Sequence, residues 1–366
     1  MATELILLGG VLGAGKTTLM QALARYFTAK GYVPGLISND QAAGLVDTAV
    51  LRGAGFMVEE VSGSCFCCNF AGFAKAIANL REQGANLILA EPVGSCTDLA
   101  ATIMQPLQDK MTDIRLRPLT VLVDPRHAAM HPSAAYILQK QQEEADIILC
   151  SKSDLLQKEQ VENVLADLRR RFPGKTILAV SAQLRQGLDA WEKAVFAGQA
   201  VGANIVPVDY DTYAEGEAVL GWLNATVSLA GAQVNWSEWT SSLLERLRAA
   251  FAGENMRVAH VKLHLETEDA RYFASLIGFD QGASQPVQAT IQDCARQAAT
   301  AVLTLNARVE SSPEKLAVLV KRTLESATAA AGLTAREDFC KSLSPGRPQP
   351  TYRYTPPLFA SCRKPV

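Results

Sequence analysis

The feature that most restricts the fold of this chain is a glycine-rich segment directly after an apolar run near its start. Residues Leu5–Leu8 lead into Gly10-Val11-Leu12-Gly13-Ala14-Gly15-Lys16-Thr17, which fits the pattern GxxxxGK[ST]. Glycines let backbone N–H groups turn toward a phosphate, and the N-terminus of the following helix favours negative charge. We expect Lys16 to reach the β- and γ-phosphates of a nucleoside triphosphate and the Thr17 hydroxyl to bind Mg²⁺. The predicted nucleotide-binding residues here are Gly10, Gly13, Ala14, Gly15, Lys16, Thr17 and Thr18.

The first two hundred residues alternate short apolar runs with helical patterns. Helices are predicted over Thr17–Ala29 and Val161–Arg171. Near-continuous apolar strands separated by helices indicate an α/β fold, a P-loop domain with a mostly parallel sheet covered on both faces. Ligands of such sheets bind at the carboxyl ends of the strands. The strand candidates are Leu5–Leu8, Gly35–Ser38, Leu87–Ala90, Thr120–Val123, Ile147–Leu149 and Thr176–Val180.

The pattern changes beyond a weakly patterned stretch at residues 196–213. Strands that alternate apolar and polar residues, together with two helices, predict a smaller α+β domain over residues 214–332. Its helices are expected over Ser237–Ala250 and from Pro313 to about Ala329. The rest of the chain, residues 333–366, carries six prolines and is expected to be an extended tail. The strand candidates of this domain are Leu220–Leu229, Val258–Glu266, Pro286–Ile291 and Ala301–Glu310.

Two carboxylates follow strands of the predicted parallel sheet. Asp40 comes after the strand that ends at Ser38, and Glu91 comes after the strand that ends at Ala90. Acids at this edge can hold Mg²⁺ directly or through water. We predict that Thr17, Asp40 and Glu91 hold Mg²⁺, and that Lys16, Asp40 and Glu91 form the catalytic set. Either acid on its own is better explained as a strand-end cap, and the presence of two at the same edge of the sheet reverses that preference.

A third motif follows the strand Ile147–Leu149. It reads Ser151-Lys152-Ser153-Asp154, where many GTPases have Asn-Lys-x-Asp. Asp154 can accept hydrogen bonds from the N1 and 2-amino groups of guanine, and adenine offers no such donors. The stem of Lys152 can cover the purine, and Ser181 and Ala182 follow the next strand, where a backbone N–H could meet the guanine O6. Ser151 in place of asparagine leaves the strictness of guanine selection open.

Three of the eight cysteines fall within four residues, as Cys65-Phe66-Cys67-Cys68. Thiolates are soft ligands for transition metals, and a sharp turn would let all three face one ion. Glu59, Glu60 or a water could complete a four-coordinate shell. The alternative is that these thiols are small buried apolar side chains. So tight a cluster favours metal over a disulfide framework, which would spread pairs along the chain.

Charge and hydropathy exclude several other functions. Lys and Arg number 35 against 37 Asp and Glu, so there is no basic surplus for a nucleic acid partner. Apolar stretches are too short to span a membrane, and the first residues look like a strand and not a signal peptide. We therefore expect a cytoplasmic protein without nucleic acid or membrane partners.

Together these motifs resemble the CobW-type GTPases, relatives of the nickel-insertion GTPases of urease and hydrogenase maturation. The resemblance covers about residues 1–200 and is carried by residues 9–18, the cysteines at 65–68, Glu91–Gly94 and residues 151–154. It implies a GTP-gated metallochaperone or metalloenzyme activator that uses Mg²⁺, with Cys65, Cys67 and Cys68 as the transfer site for Zn²⁺, Co²⁺ or Ni²⁺. It also implies a client metalloprotein whose identity is open, and a homodimer is not excluded.

Two other functions are compatible with the phosphate loop. A small-molecule P-loop kinase would need an acceptor site and an arginine-rich lid, neither of which is evident, and it leaves the cysteines unexplained. A non-catalytic metal sensor would bind nucleotide without turnover. Phosphate release with and without an acceptor separates these three hypotheses.

Overall fold

The computed structural model of the protein describes residues 2–126, 132–198, 201–232, 234–278, 290–291 and 298–355. Its first domain alternates strands and helices to residue 218. The strands are β1 (Thr3–Gly10), β2 (Pro34–Asn39), β3 (Met57–Val61), β4 (Leu87–Glu91), β5 (Ile114–Leu116), β6 (Thr120–Val123), β7 (Ile147–Cys150) and β8 (Thr176–Ala179). The helices are α1 (Lys16–Thr28), α2 (Val46–Gly53), α3 (Phe70–Glu82), α4 (Gln105–Lys110), α5 (Pro132–Glu144), α6 (Lys158–Arg171), α7 (Leu188–Val195) and α8 (Tyr210–Ala218).

Within the described residues, the strands of the first domain form one parallel sheet in the order β3-β2-β4-β1-β6-β7-β8, with β5 also paired to β1. Every residue of β1 is buried, and alternate side chains enter two different cores. Leu5 and Leu7 pack with α3 on one face, whereas Ile6 and Leu8 pack with α1 on the other. The predicted α/β class, with a parallel sheet covered on both faces, is confirmed.

The second domain is an antiparallel sheet with two helices on one face. The strands are β9 (Gly221–Ala230), β10 (Val258–Glu266), β11 (Arg271–Ile277), β12 (Thr290–Ile291), β13 (Thr300–Val309) and β14 (Thr334–Leu343). They pair in the order β12-β11-β10-β13-β9-β14 among the residues described. The helices α9 (Trp236–Gly253) and α10 (Pro313–Ala330) cover the apolar side chains of this sheet. The predicted α+β domain is therefore confirmed.

The limits of this domain differ from those expected. Residues 334–343 are not tail but the edge strand β14, which pairs with β9. At the other end α8 occupies residues expected to be a boundary, and it packs against α5 of the first domain. Strand β11 was not predicted, and residues 286–289 of the predicted strand Pro286–Ile291 lie outside the described residues. The edge strand was missed because its mixed polar residues lack the alternation of half-buried strands.

In the described part of the chain, every helix is too short or too polar to cross a lipid bilayer.

Candidate functional site

The glycine-rich loop joins β1 to α1 through conformations that other residues disfavour. Gly10, Gly13 and Gly15 have φ values of 131°, 77° and 94°, which glycine adopts without steric cost. At Gly10 a Cβ atom would lie 2.6 Å from the carbonyl oxygen of Leu122 on β6. The loop is thus closed tightly against the sheet, and α1 begins directly at Lys16.

Lys16 and Thr17 converge on Glu91 at the carboxyl end of β4. Lys16 Nζ donates hydrogen bonds to the carbonyl oxygens of Gly10 (2.9 Å) and Val11 (3.3 Å) and lies 3.7 Å from Glu91 Oε1. Thr17 Oγ1 donates a 2.9 Å hydrogen bond to Glu91 Oε2. Burial lowers the pKa of Lys16 and raises the pKa of Glu91, and the attraction between the two charges opposes both shifts. Three predicted site residues are therefore in contact.

Asp47, which the sequence did not single out, lies beside this group in the first turn of α2. Its side chain lies beside the Thr17 hydroxyl, and it accepts hydrogen bonds of 2.6 and 2.7 Å from Lys262 Nζ. Burial would raise the pKa of Asp47, but Lys262 outweighs burial and holds it below its usual value. A charged carboxylate is therefore available next to the Thr17 hydroxyl.

Asp40 is placed differently from expectation. Its carboxylate forms a buried ion pair with Arg308 of β13, at 2.5 Å between Oδ2 and Nη2. The other terminal nitrogen of Arg308 donates to the carbonyl oxygens of Leu223 (3.1 Å) and Ala307 (2.9 Å) and to Oδ1 of Asn224 (2.9 Å). The structure thus brings Lys16, Thr17 and Glu91 together and ties Asp40 to the second domain.

The polar face of the second sheet holds the whole segment 40–47. Asn224 Nδ2 donates to the carbonyl oxygens of Ala42 and Ala43, each at 3.2 Å. Asn306 donates to Gly44 O at 2.9 Å and accepts from Val46 N at 2.8 Å. Backbone groups of this segment are therefore satisfied by side chains of the other domain, so its conformation depends on domain contact.

The predicted base-reading loop lies over the phosphate loop. Lys152, in a left-handed conformation with φ of 53°, donates to Gly13 O at 2.6 Å and lies 2.8 Å from Asp124 Oδ2. Burial lowers the pKa of Lys152, and Asp124 opposes this shift. Asp154 is exposed in a short 3₁₀ turn, Ser153–Leu155. The stem of Lys152 is thus in position to cover a base bound above Gly13.

The remaining residues of this predicted site follow β7 and β8. Ser151 N and Oγ both donate to Val123 O, at 2.9 and 3.2 Å. Ser181 is buried and exchanges backbone hydrogen bonds with Gln186, whereas Ala182 is partly buried. Ser151 therefore braces the loop against β6 through its own hydroxyl.

The thiols of the cysteine loop converge. The Sγ atoms are 2.9 Å apart for Cys65 and Cys67, 3.2 Å for Cys65 and Cys68, and 3.7 Å for Cys67 and Cys68. Contact between neighbouring sulfurs lowers the pKa of Cys65 and raises that of Cys67, because one sulfur takes the charge while the other keeps its proton. These three residues are the group of metal-ligating side chains found among the described residues. Cys65 and Cys67 are buried in the hydrophobic core, as the alternative of buried apolar thiols expects. The convergence of all three sulfurs is the arrangement that a metal site needs.

The cysteine loop is tied to the segment that leads to Asp40. Asn39 Nδ2 donates 2.8 Å hydrogen bonds to Val61 O and Ser64 O, and Asn39 Oδ1 accepts from Phe66 N at 2.9 Å. Asn39 immediately precedes Asp40, so a single residue joins the segment 40–47 to the backbone that carries the thiols.

Residues 4–179 match the family described as CobW/HypB/UreG, nucleotide-binding domain. That range contains the phosphate loop, the converging thiols, Glu91 and the loop of Lys152 in one sheet. The N-terminal domain belongs to the CobW/HypB/UreG family. The resemblance indicated by the sequence motifs is thereby confirmed.

The chain is also similar to a curated protein and to several solved structures. The zinc chaperone YeiR of Escherichia coli (strain K12) is 26% identical over 261 residues, which cover 60% of this chain and 79% of that protein. The structure of Zn(II)-bound YjiA GTPase from E. coli has a TM-score of 0.36 at 15% identity, covering 90% of this chain and 99% of its own. The structure of HypB from Helicobacter pylori in complex with nickel has a TM-score of 0.41 at 18% identity, and the match covers 54% of this chain and 90% of HypB.

Beyond the motif residues of this CobW-type domain, a fourth thiol lies at the cluster. Cys96, in the loop after β4, is 1% exposed and is buried in the same core as Cys65 and Cys67, and its thiol interacts with both of theirs. On the sequence Cys96 looks like one of several scattered cysteines. The only signal for it was its position five residues after Glu91, on the same edge of the sheet.

The segment after β14 lies across the cysteine loop. Gln349 N donates to Cys68 Sγ at 3.2 Å, and Thr351 N donates to Cys67 O at 2.8 Å. This segment therefore covers the most exposed of the clustered thiols. Further contacts hold it in place: Tyr352 with Phe70, Arg353 with Asp98 and Tyr354 with Asp109.

Proposed function

We propose that this protein is a GTPase of the CobW type that binds Zn²⁺ through Cys65, Cys67 and Cys68 and delivers it to a client metalloprotein. The observation that carries this proposal is the convergence of three thiols, with no two Sγ atoms more than 3.7 Å apart, on a loop braced by Asn39. A relative at 26% identity is a zinc chaperone, which favours zinc as the cargo. Cobalt and nickel are the competing cargoes.

The nucleotide site is proposed to select GTP through the loop of Lys152 and Asp154. The Lys16 ammonium, which donates to the loop carbonyl oxygens of Gly10 and Val11, would donate instead to the β- and γ-phosphates. Phosphate oxygens are stronger acceptors than carbonyls because they are charged. Lys152 would cover the guanine, and Asp154 would accept from its N1 and 2-amino groups.

Magnesium fits the oxygen atoms gathered at Thr17. This hard cation takes hydroxyl and carboxylate oxygens together with phosphate, and Thr17 Oγ1 lies 2.9 Å from Glu91 Oε2 with Asp47 also in contact. We propose that Thr17 binds the ion and that Glu91 and Asp47 hold it directly or through water, where it supplies charge neutralisation for phosphoryl transfer. For Asp40, the ion pair with Arg308 supports a role in positioning the segment 40–47 better than a magnesium role.

Coupling between nucleotide and cargo follows from the position of Asn39. Nucleotide that draws Asp47 toward Mg²⁺ would shift the segment 40–47, and Asn39 would transmit the shift to Ser64 and Phe66. The geometry of the three thiolates, and hence zinc affinity, would then depend on the nucleotide. Linkage requires that zinc alter nucleotide affinity by the same factor.

The test is the zinc affinity of the full chain with a non-hydrolysable GTP analogue, with GDP and without nucleotide. We expect the three values to differ, and the difference to vanish in Lys16→Met, which weakens the phosphate site. Cys340→Ser on β14 is the control, since this exposed thiol lies outside the cluster. Three equal affinities for the wild-type protein would refute the coupling. Failure to release phosphate from GTP under any metal condition would refute the proposed GTPase activity.

A further inference from the structure

A cysteine outside the motif lies at the thiol cluster and also beside the phosphate loop. Cys96 belongs to the loop 92–98 between β4 and the π-helical turn Ala100–Met104. Its side chain is buried in the same core as Cys65 and Cys67, and its thiol interacts with both of their thiols. The other isolated cysteines that the structure describes, Cys150 and Cys340, are outside this core cluster.

We propose that Cys96 is the fourth sulfur ligand of the cargo ion, so that the closed site is a four-thiolate site. This inference rests on the proposed zinc function. A Zn–S bond of about 2.3 Å in a tetrahedron separates the sulfurs by about 3.8 Å. The three motif sulfurs lie 2.9 to 3.7 Å apart, so small outward shifts complete three corners. Cys96 lies on the buried side of the cluster, where its thiol interacts with those of Cys65 and Cys67.

The opposite side of the cluster belongs to Cys68. This thiol is partly exposed, and its sulfur accepts the hydrogen bond from Gln349 N at 3.2 Å. Cys68 thus lies under the covering segment and is partly open to solvent, while Cys96 is 1% exposed. The site therefore has an inner and an outer sulfur, and the side of Cys68 is the more open one for release of the cargo.

The carboxylates considered from the sequence are less suited to the fourth position. Glu59 lies on β3 and accepts a 3.4 Å hydrogen bond from Asn79 of α3. Glu59, Glu60 and Cys96 all lie outside the group of ligand atoms within 4.8 Å of one another among the described residues, which holds Cys65, Cys67 and Cys68. Cys96 already interacts with the thiols of Cys65 and Cys67, so a shift toward Cys68 would complete the four-sulfur site. A thiolate also matches the softness of the other three ligands better than a carboxylate does.

Cys96 gives the nucleotide a short route to the cargo. At Gly94, two residues earlier, a Cβ atom would lie 2.9 Å from Leu12 N in the phosphate loop. Gln141 Nε2 donates to both Gly94 O (3.1 Å) and Cys96 O (2.8 Å), and Cys96 N donates to Val93 O at 2.8 Å. The turn from Val93 to Cys96 is therefore held as one piece. A displacement at Leu12 is passed through Gly94 to the Cys96 sulfur.

This arrangement predicts two states of the cargo site. With Cys96 in place the ion has four sulfurs, which is the closed coordination of sites that retain zinc. When nucleotide draws the turn away, three sulfurs remain and one position is open to a ligand from the client. Zinc release would then need no movement of the motif cysteines themselves.

The experiment is zinc K-edge X-ray absorption on the full chain loaded with one equivalent of Zn²⁺. We expect four sulfur neighbours in the wild-type protein and three sulfurs with one oxygen or nitrogen in Cys96→Ser. Cys150→Ser is the matched control, because Cys150 is equally buried but lies on β7, and it should keep four sulfurs. Competition with a chelator should show an affinity at least about tenfold lower in Cys96→Ser.

The outcomes separate this inference from the function on which it rests. Three sulfurs in the wild-type protein, with zinc still bound, would overturn the role of Cys96 and leave the zinc function intact. A Cys96→Ser variant that kept the wild-type spectrum would lead to the same conclusion. Loss of zinc binding in the wild-type protein would overturn both. Because the wild-type spectrum alone counts the sulfurs, the test stands even if Cys96→Ser fails to fold.

Discussion

Replacing Asp40 by asparagine should destabilise the protein by removing the counterion of a buried arginine. Arg308 is 1% exposed, and Asp40 supplies the one carboxylate with which it forms an ion pair in the described part of the chain. Asp40→Asn keeps the shape of the side chain and removes its charge. The cation stays in the interface because its guanidinium is also packed 4.3 Å from the ring centroid of Trp222.

The magnitude follows from the partners that remain. Removing one member of a buried ion pair costs about 3–5 kcal/mol, because the other charge is left uncompensated. Arg308 Nη1 keeps three neutral acceptors, which places the expected loss at the lower end, about 3 kcal/mol. The double variant Asp40→Asn/Arg308→Met removes both charges and should lose clearly less than the sum of the single changes, by about 2 kcal/mol.

The assay is calorimetric unfolding of the nucleotide-free protein, the two single variants and the double variant. At about 2 °C per kcal/mol for a chain of this size, Asp40→Asn should lower Tm by about 6 °C. A loss below about 1 kcal/mol, combined with loss of Mg²⁺-dependent GTP binding, would refute this reasoning. In that case Asp40 acts at magnesium, as the sequence suggested.

Three further predictions concern different parts of the molecule. Burial raises the pKa of Glu144 from 4.5 to about 8, so the folded protein keeps a proton that the unfolded chain loses. Stability should therefore fall by roughly 4 kcal/mol as pH rises from about 4.5 to 8. Urea midpoints measured across this pH range should fall less in Glu144→Gln than in the wild-type protein. Glu143→Gln is the control, because the pKa of that carboxyl is lowered, and it should keep the wild-type dependence on pH. Equal pH dependence in the wild-type protein and Glu144→Gln would contradict the role of Glu144. Ending the chain after Leu343 keeps β14 but uncovers Cys68, and zinc should pass to a chelator about tenfold faster; an unchanged rate would show that the segment does not shield the ion. Asp154→Asn should weaken GTP binding by about 100-fold and improve binding of xanthosine triphosphate, whose 2-oxo group accepts from an amide; competition binding measures this, and unaltered GTP affinity would exclude Asp154 as the guanine reader.

The features that the sequence predicted best are those encoded locally. Buried parallel strands need consecutive apolar residues, and the phosphate loop needs glycines at fixed spacing before Lys16, so both can be recognised within about ten residues. The cysteine cluster is local in the same sense, since a sharp turn brings Cys65, Cys67 and Cys68 together. The order of the strands in the sheet, by contrast, depends on how β4 and β6 insert beside β1.

By itself the sequence determined the α/β domain, its phosphate loop and the three clustered thiols, because each depends on neighbouring residues. Only the tertiary structure decided that Cys96 is buried in the same core as Cys65 and Cys67, that Arg308 reaches Asp40, and that the residues after β14 return to cover Cys68. Alternation along β13 shows that Asn306 and Arg308 share one face of a strand. It carries no information on what that face contacts, because the partner lies more than 250 residues away and is fixed by the path of the whole chain.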